Sequence, residues 1–224
     1  MRVLVTTASF GRPLNSTWVN QKSGKYEIVF NRIDDSKETS RHKAMTGRLR
    51  GKIPKMLAWE DHPDYDYYIW IDGDFSIPDP LSIERMVDEC IGKDACFFKH
   101  SERNCVKDEI EIILDNIRHP YIVERYEGEL MGKQVENYTK DTTWNDNILF
   151  ECGAFIYSNR IVANRDSNVM KEWFYHNCIW SVQDQLSLPY ALHKFGINYK
   201  LLEGNVWFNK FIKYDGEHII QRTH

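Results

Sequence analysis

The sequence predicts an α/β fold with a mostly parallel central sheet flanked by helices. Short apolar runs at residues 2–6, 26–30, 67–71 and 95–98 alternate with longer segments of helical spacing, the pattern of strands joined by helical crossovers. The run Tyr67-Tyr68-Ile69-Trp70-Ile71 reads as a buried strand, and Asp72-Gly73-Asp74 follows it as a turn. In open α/β sheets, ligands bind at the edge formed by such strand ends.

Residues 2–6 read as the first strand and residues 26–30 as the second, followed by polar residues 31–37. Residues 40–53 have helical spacing, and Pro54 is expected to kink or end that helix, because proline lacks the amide donor and clashes with the preceding turn. After the strand at 67–71, Pro78-Asp79-Pro80 leads into a helix over 81–91 with Ser82 as its candidate cap. Residues 95–98 form a short strand, 109–117 and 121–134 helices, and 137–147 a polar loop. Residues 148–157 read as a strand pair interrupted at Gly153; 169–177 and 182–195 are helical, 199–202 is a strand, and the tail from 207 is irregular and aromatic. No repeat, low-complexity tract or Gly/Pro/Ser-rich linker divides the chain, so residues 1–224 are expected to form one domain.

Composition narrows the function. Hydrophobic residues at 42% suffice for a core, while a formal net charge of −4 points away from a strongly basic nucleic-acid binder. Seven Trp and twelve Tyr suit a sugar-binding cleft and equally suit a large core. The five cysteines form no C-x-x-C pair, so neither a disulfide framework nor a zinc ribbon is expected. The chain opens on a strand, with no signal segment, and no run approaches a membrane span; a cytoplasmic protein without a membrane anchor is expected.

Four constellations carry chemistry. Asp72 and Asp74, two residues apart at a strand end, can supply oxygen ligands to Mn²⁺ or Mg²⁺, which would in turn hold a diphosphate; the competing reading is a plain turn. Between residues 41 and 55 lie Arg41, His42, Lys43, Arg48, Arg50, Lys52 and Lys55, with no carboxylate. Arg48 and Lys52 are the candidates for phosphate contact, against the ordinary reading of a solvated helix face. In Trp180-Ser181-Val182-Gln183-Asp184-Gln185, Asp184 and Gln185 can address a sugar at a helix N-terminus, but Ser181 and Asp184 also have capping-box spacing. In Glu151-Cys152-Gly153-Ala154, the glycine marks a bulge or a close backbone approach, and Cys152 reads as a buried small hydrophobe. His100 and Arg103 follow a strand, and His218, in the aromatic tail, is a candidate third metal ligand. There is no Gly-rich phosphate loop to support a kinase or dehydrogenase.

In order along the chain, Arg48, Lys52-Ile53-Pro54, Tyr68–Gly73, His100–Cys105 and Asp184–Tyr190 resemble the glycosyltransferase-like domain family long catalogued as a domain of unknown function, known from plant Golgi proteins and microbial sequences. The resemblance implies a single GT-A-like (Rossmann-like) domain related to glycogenin-like, retaining enzymes. It implies that Asp72 and Asp74 bind Mn²⁺ or Mg²⁺ and that Asp184 and Gln185 lie beside the donor sugar. Gly153 would line the donor cleft. Thr6, Thr7 and Arg12 after the first strand, with Asp34 or Asp35 after the second, would grip uridine and ribose. Here the Asp-x-Asp is complete, where the family often has a non-acidic residue at the position of Asp74.

The reading is therefore a metal-dependent glycosyltransferase that moves a sugar from a UDP-sugar to a glycan or other hydroxyl acceptor. Two rivals stand beside it: a transferase acting on a hydroxymethylated base of viral DNA, which would need a basic acceptor groove, and a non-catalytic carbohydrate- or nucleotide-sugar-binding protein.

Overall fold

The computed structural model describes the chain except residues 12, 15, 36–44 and 216–224. Its elements run β1 (Arg2–Phe10), β2 (Glu27–Asp35), α1 (Gly47–Asp61), β3 (Tyr67–Ile71), β4 (Phe75–Ser76), α2 (Ser82–Cys90), β5 (Ala95–Lys99), α3 (Val106–Asp115), α4 (Pro120–Tyr126), α5 (Met131–Tyr138), β6 (Phe150–Ser158), α6 (Val169–Ile179), α7 (Asp184–Lys194), β7 (Tyr199–Leu201) and β8 (Lys213–Tyr214). A 3₁₀ turn follows β6.

The expected α/β architecture is present. Six strands form one sheet in the order β2-β1-β3-β6-β5-β7. All its pairings are parallel except the two made by β6, which runs against β3 and β5. A separate antiparallel pair joins β4 to β8.

Side-chain alternation sorts the strands between two cores. Val3, Val5, Ile69, Ile71, Cys96 and Phe98 pack with α2 through Ile83, Met86 and Val87. Leu4, Tyr68, Trp70, Ala95 and Phe97 pack on the other face with Met56 and Trp59 of α1, Trp173 of α6 and Leu188 of α7. A third cluster joins Val106, Ile110, Tyr126 and Met131 to Leu149 and Leu186.

Several elements differ from the sequence expectation. Pro54 does not end its helix: α1 continues to Asp61. An interior proline costs about 3 kcal/mol. Beyond it, Met56 and Trp59 are 0% and 2% exposed, and burying two such side chains returns roughly 3–6 kcal/mol. Ser82 is not a cap: it lies inside α2, whose N-cap is Leu81, without a side-chain bond. The segment 121–134 is two helices, α4 and α5, and the tail contributes β8.

Gly153 does not interrupt the strand either. β6 is continuous, but its register with β5 shifts between Phe97 and Phe98. Phe150 and Cys152 thus lie in the same core as Phe155 and Tyr157, three and five residues beyond Cys152. Three residues of β6, Cys152 to Ala154, face no partner in β5, and this odd number of extra residues reverses the alternation, as a β-bulge does. A β-carbon at Gly153 would lie 3.0 Å from both Phe75 and Val206.

No described helix is long and apolar enough to cross a membrane.

Phe155 sits at the centre of this sheet, fully buried against Phe97, Tyr157 and Trp173. Phe155→Ala is expected to lower stability by about 3–5 kcal/mol in urea unfolding. A loss below about 1 kcal/mol would contradict the packing described.

Candidate functional site

The C-terminal ends of β1, β2 and β3 meet α1 and the start of α7. Asp72 follows β3 directly. Its amide donates to the carbonyl of Gly153 at 2.7 Å, and its carbonyl accepts the amide of Phe75 at 3.0 Å, closing the Asp-Gly-Asp turn. The bulge in β6 therefore fixes where the turn begins.

The period of two along β3 sets Trp70 and Asp72 on the α1 side of the sheet. The Trp70 indole donates to Asp72 Oδ1 at 2.5 Å, and Lys55 Nζ approaches the same oxygen at 3.2 Å. Lys55 then reaches Asp184 Oδ2 at 2.7 Å, and Lys52 Nζ contacts that oxygen at 2.7 Å as well. One carboxylate at the start of α7 thus takes two ammonium groups from α1, and one of them continues to Asp72.

Three of these four side chains are buried: Lys55 is 4%, Asp184 9% and Lys52 11% exposed, against 42% for Asp72. Burial alone would raise the pKa of Asp184, but the two lysines override it and hold the carboxyl well below the usual range. Burial and the neighbouring ammonium of Lys55 lower Lys52, despite Asp184. For Lys55, burial works against the charge, and the carboxylates of Asp184 and Asp72 overcome it and raise its pKa. Burial, with nearby Asp184, pushes the Cys152 thiol well up, so it is a protonated core residue.

The two alternatives at Asp184 separate here. The N-cap of α7 is Gln183, with no side-chain cap bond. Ser181 Oγ accepts from the amide of Gln183 at 3.1 Å, and the Asp184 carboxylate turns to the lysines. Beside it, Gln185 Oε1 accepts from Gln183 Nε2 at 2.5 Å, while Gln183 is held by Tyr126 at 2.8 Å and Glu109 at 3.2 Å.

The remaining candidates are dispersed. Thr6 and Thr7 lie inside β1, buried, not after it. Thr7 Oγ1 has no hydrogen-bond partner among the described residues and would sit 3.9 Å from a β-carbon at Gly73. Asp34 and Asp35 are the last residues of β2; Asp34 Oδ2 is 3.5 Å from the Leu14 amide, and Asp35 pairs with Arg50 at 2.6 Å. Arg48 does not join the charge chain: it donates to the Arg125 carbonyl at 2.6 Å and lies over the Tyr126 ring. His100 Nδ1 accepts the amides of Glu102 and Arg103, and Arg103 pairs with Glu109. Arg12, Arg41, His42, Lys43 and His218 lie outside the described residues. Asp74 is at the corner, its carbonyl accepting the amide of Asp215 at 2.9 Å.

Sequence reasoning missed three participants. Lys55 lies just beyond Pro54, where the helix is expected to kink or end, yet it links both acidic sites. Trp70 was legible from its spacing of two from Asp72. Glu151 receives Ser101 on one oxygen and the Val206 amide on the other at 2.7 Å, bolting the loop after β7 to the sheet edge; no sequence signal marked that.

A cavity of about 270 Å³ lined by Trp59, Tyr68, Asn159 and Arg165 lies at the opposite sheet edge, away from this chemistry.

Asp184→Asn is expected to cost roughly 3–5 kcal/mol, since it removes the carboxylate partner of buried Lys52 and leaves buried Lys55 with Asp72 alone. The acid profile follows from the depressed pKa. The folded chain binds fewer protons at this site than the unfolded chain, so the contribution is complete above the unfolded value of about 3.9 and is lost as pH falls below it. Urea unfolding of both proteins should show a stability gap that is constant at neutral pH and shrinks below about pH 4. A gap that widens on acidification would contradict the assignment.

The family model described as "TOD1/MUCI70, glycosyltransferase-like domain" matches residues 35–223. No curated protein matches the chain. Among solved structures, a glycosyltransferase involved in glycosylation of the major capsid of PBCV-1 aligns at 9% identity and a TM-score of 0.44, over 89% of this chain and 81% of that one. The apo structure of the bifunctional glycosyltransferase WbbM aligns at 12% identity and a TM-score of 0.42; this chain is covered to 89% and spans 38% of that protein.

Proposed function

The chain belongs to the TOD1/MUCI70 glycosyltransferase-like domain family, and from that premise we propose that it transfers a sugar from a UDP-sugar to a hydroxyl acceptor with the help of a divalent cation. The observation that carries the proposal is the link Asp72–Lys55–Asp184. It brings the acidic strand end and the Asp-Gln pair, distant in sequence, to one charged corner.

The corner suits a hard cation such as Mn²⁺ or Mg²⁺. Asp72 is partly exposed, its contacts with Lys55 and Trp70 both fall on Oδ1, and Asp74 lies two residues on in the same turn. The described residues contain no group of three His, Cys, Asp or Glu arranged to enclose a metal. A cation held through two carboxylates would complete its shell with donor phosphates and water, the usual arrangement for Mg²⁺-type sites. Bound there, it would neutralise charge developing on the β-phosphate. His218, three residues beyond Asp215, is proposed as a further ligand.

The chain's own groups then divide the work. Lys55 presents a buried ammonium between the metal corner and the sugar. Thr7 offers a buried hydroxyl, unpaired among the described residues, beside Gly73, and Thr6, Arg12, Asp34 and Asp35 complete the proposed uridine and ribose side; Lys52 and Gly153 complete the phosphate and cleft contacts. Asp184 and Gln185 orient donor hydroxyls. A carboxylate held well below its normal range is a weak base near neutral pH, so Asp184 acts by charge and position and is not the general base. In the transfer, the bond between the anomeric carbon and the β-phosphate oxygen breaks and the acceptor oxygen takes that carbon. UDP departs with the electron pair and takes up the acceptor proton. The resemblance of Asp184-Gln185 to the pair in glycogenin-like enzymes supports retention of configuration.

Titration calorimetry with UDP-glucose, UDP-galactose and related donors tests this reading. Binding should require Mn²⁺ or Mg²⁺, disappear with EDTA, and weaken at least about 10²-fold in Asp72→Ala, which removes a charged ligand worth several kcal/mol. Failure of every donor to bind, or unchanged affinity in the variant, would end the proposal.

A further inference from the structure

The loop after β7 carries an aromatic feature that the donor site leaves unused. Phe208 is 80% exposed and Trp207 37% exposed. Their exposure does not come from a loose loop. Gly204 has φ +84°, and a β-carbon there would lie 2.2 Å from the Phe208 carbonyl oxygen, so only glycine closes this turn. Asn205 and Phe208 exchange backbone hydrogen bonds at 3.2 Å. Asn205 Oδ1 accepts the amides of Trp207 and Phe208 at 3.0 and 2.9 Å. Asn209 Oδ1 accepts those of Phe211 and Ile212 at 2.9 and 3.0 Å. Two asparagines and a glycine thus hold two adjacent large aromatic residues partly or wholly out of the core.

The loop is continuous with the acidic corner. The Trp207 ring lies 5.7 Å from that of Phe75, the residue after Asp74, and 4.9 Å from that of Tyr214, the residue before Asp215. The Val206 amide is fixed on Glu151, and Val206 and Phe75 pack over Gly153, whose carbonyl holds Asp72. The platform is therefore built on the same residues that position the metal corner.

Charge selects the occupant. A nucleic acid would need unpaired cations beside the aromatics for its phosphates. The lysines of this stretch each meet a carboxylate: Lys200 with Glu89, Lys210 with Glu89 and Glu203, and Lys213 with Asp215. Among the described residues of this stretch no lysine is left without a carboxylate, and such an aromatic face suits a neutral ligand with an apolar face and a hydroxyl rim, as a pyranose ring presents.

We propose that Trp207 and Phe208 form the acceptor platform, stacking on a pyranose ring of a neutral carbohydrate whose hydroxyl receives the transferred sugar. This assignment of acceptor class rests on the reading of the Asp72 corner as the donor site.

The test is a glycan array of neutral oligosaccharides probed with the full chain, with a single-stranded 12-mer oligonucleotide as a parallel arm. The native chain should retain at least one glycan. Phe208→Ala should weaken it about tenfold, and Phe208→Tyr should retain it. Phe208 makes no core contact to lose, and Gly204→Ala, which displaces the loop, should reproduce the defect. The proposal is overturned if no glycan is retained, if Phe208→Ala binds like the native chain, or if the oligonucleotide is the ligand that depends on Phe208. Donor binding by calorimetry keeps the two readings separate. UDP-sugar binding without Phe208-dependent glycan binding overturns the platform alone. Phe208-dependent glycan binding without UDP-sugar binding overturns the donor reading and, with it, the acceptor role of the platform, leaving Trp207 and Phe208 as a glycan-binding surface.

Discussion

One carboxylate oxygen organises this molecule. Asp184 Oδ2 sits 2.7 Å from two lysine ammonium groups inside the protein. Buried ion pairs rarely stabilise more than apolar side chains of the same volume, because desolvation offsets their attraction. A fold that wanted only to join α1 to α7 would do better with leucines, as it does a turn further along with Met56 and Leu188. Placing a carboxylate between two ammonium groups, and extending one to a partly exposed Asp72, instead supports the proposed donor site, because an anionic ligand is bound best by fixed charges held in position before it arrives.

The rest of the architecture serves that arrangement. A fully buried β3 delivers Asp72 to the sheet edge and turns Trp70 to the same side. The bulge in antiparallel β6 presents the Gly153 carbonyl to the Asp72 amide and leaves room for Phe75 and Val206. Glu151, next to the bulge, holds the loops after β5 and β7. Gln183, fixed by Tyr126 and Glu109, holds Gln185. Each support comes from a residue adjacent in sequence to one with a more visible role, so a single strand end or helix start sets both.

Much of this was legible in the sequence. The apolar runs identified the sheet, and the Asp-Gly-Asp after 67–71 identified the turn at its edge, because strand burial and turn chemistry are local properties. Gly153 announced a bulge for the same reason. Pro54 misled, since its local cost is outweighed by the burial of Met56 and Trp59 from elsewhere in the fold, and that error hid Lys55. Of the two readings left open at Asp184, the capping box does not form: two buried ammonium groups, not a local helix cap, hold its carboxylate. The roles of Glu151 and Gln183 were invisible because their partners, Val206 and Glu109, are distant in the chain and follow no spacing rule. Arg48, singled out by its helical stripe with Lys52, turned instead to Tyr126 and Arg125.

The central claim is that the charge chain ending in Asp72 is the floor of a metal-assisted donor site. A crystal structure of the chain grown with Mn²⁺ and UDP tests it most directly, because anomalous scattering locates the metal without reference to activity. The account predicts one Mn²⁺ on the carboxylates of Asp72 and Asp74, with the diphosphate beside Lys55 and the Lys55–Asp184 contact retained. Metal and nucleotide bound elsewhere, with Asp72 and Asp74 carrying neither, would contradict it.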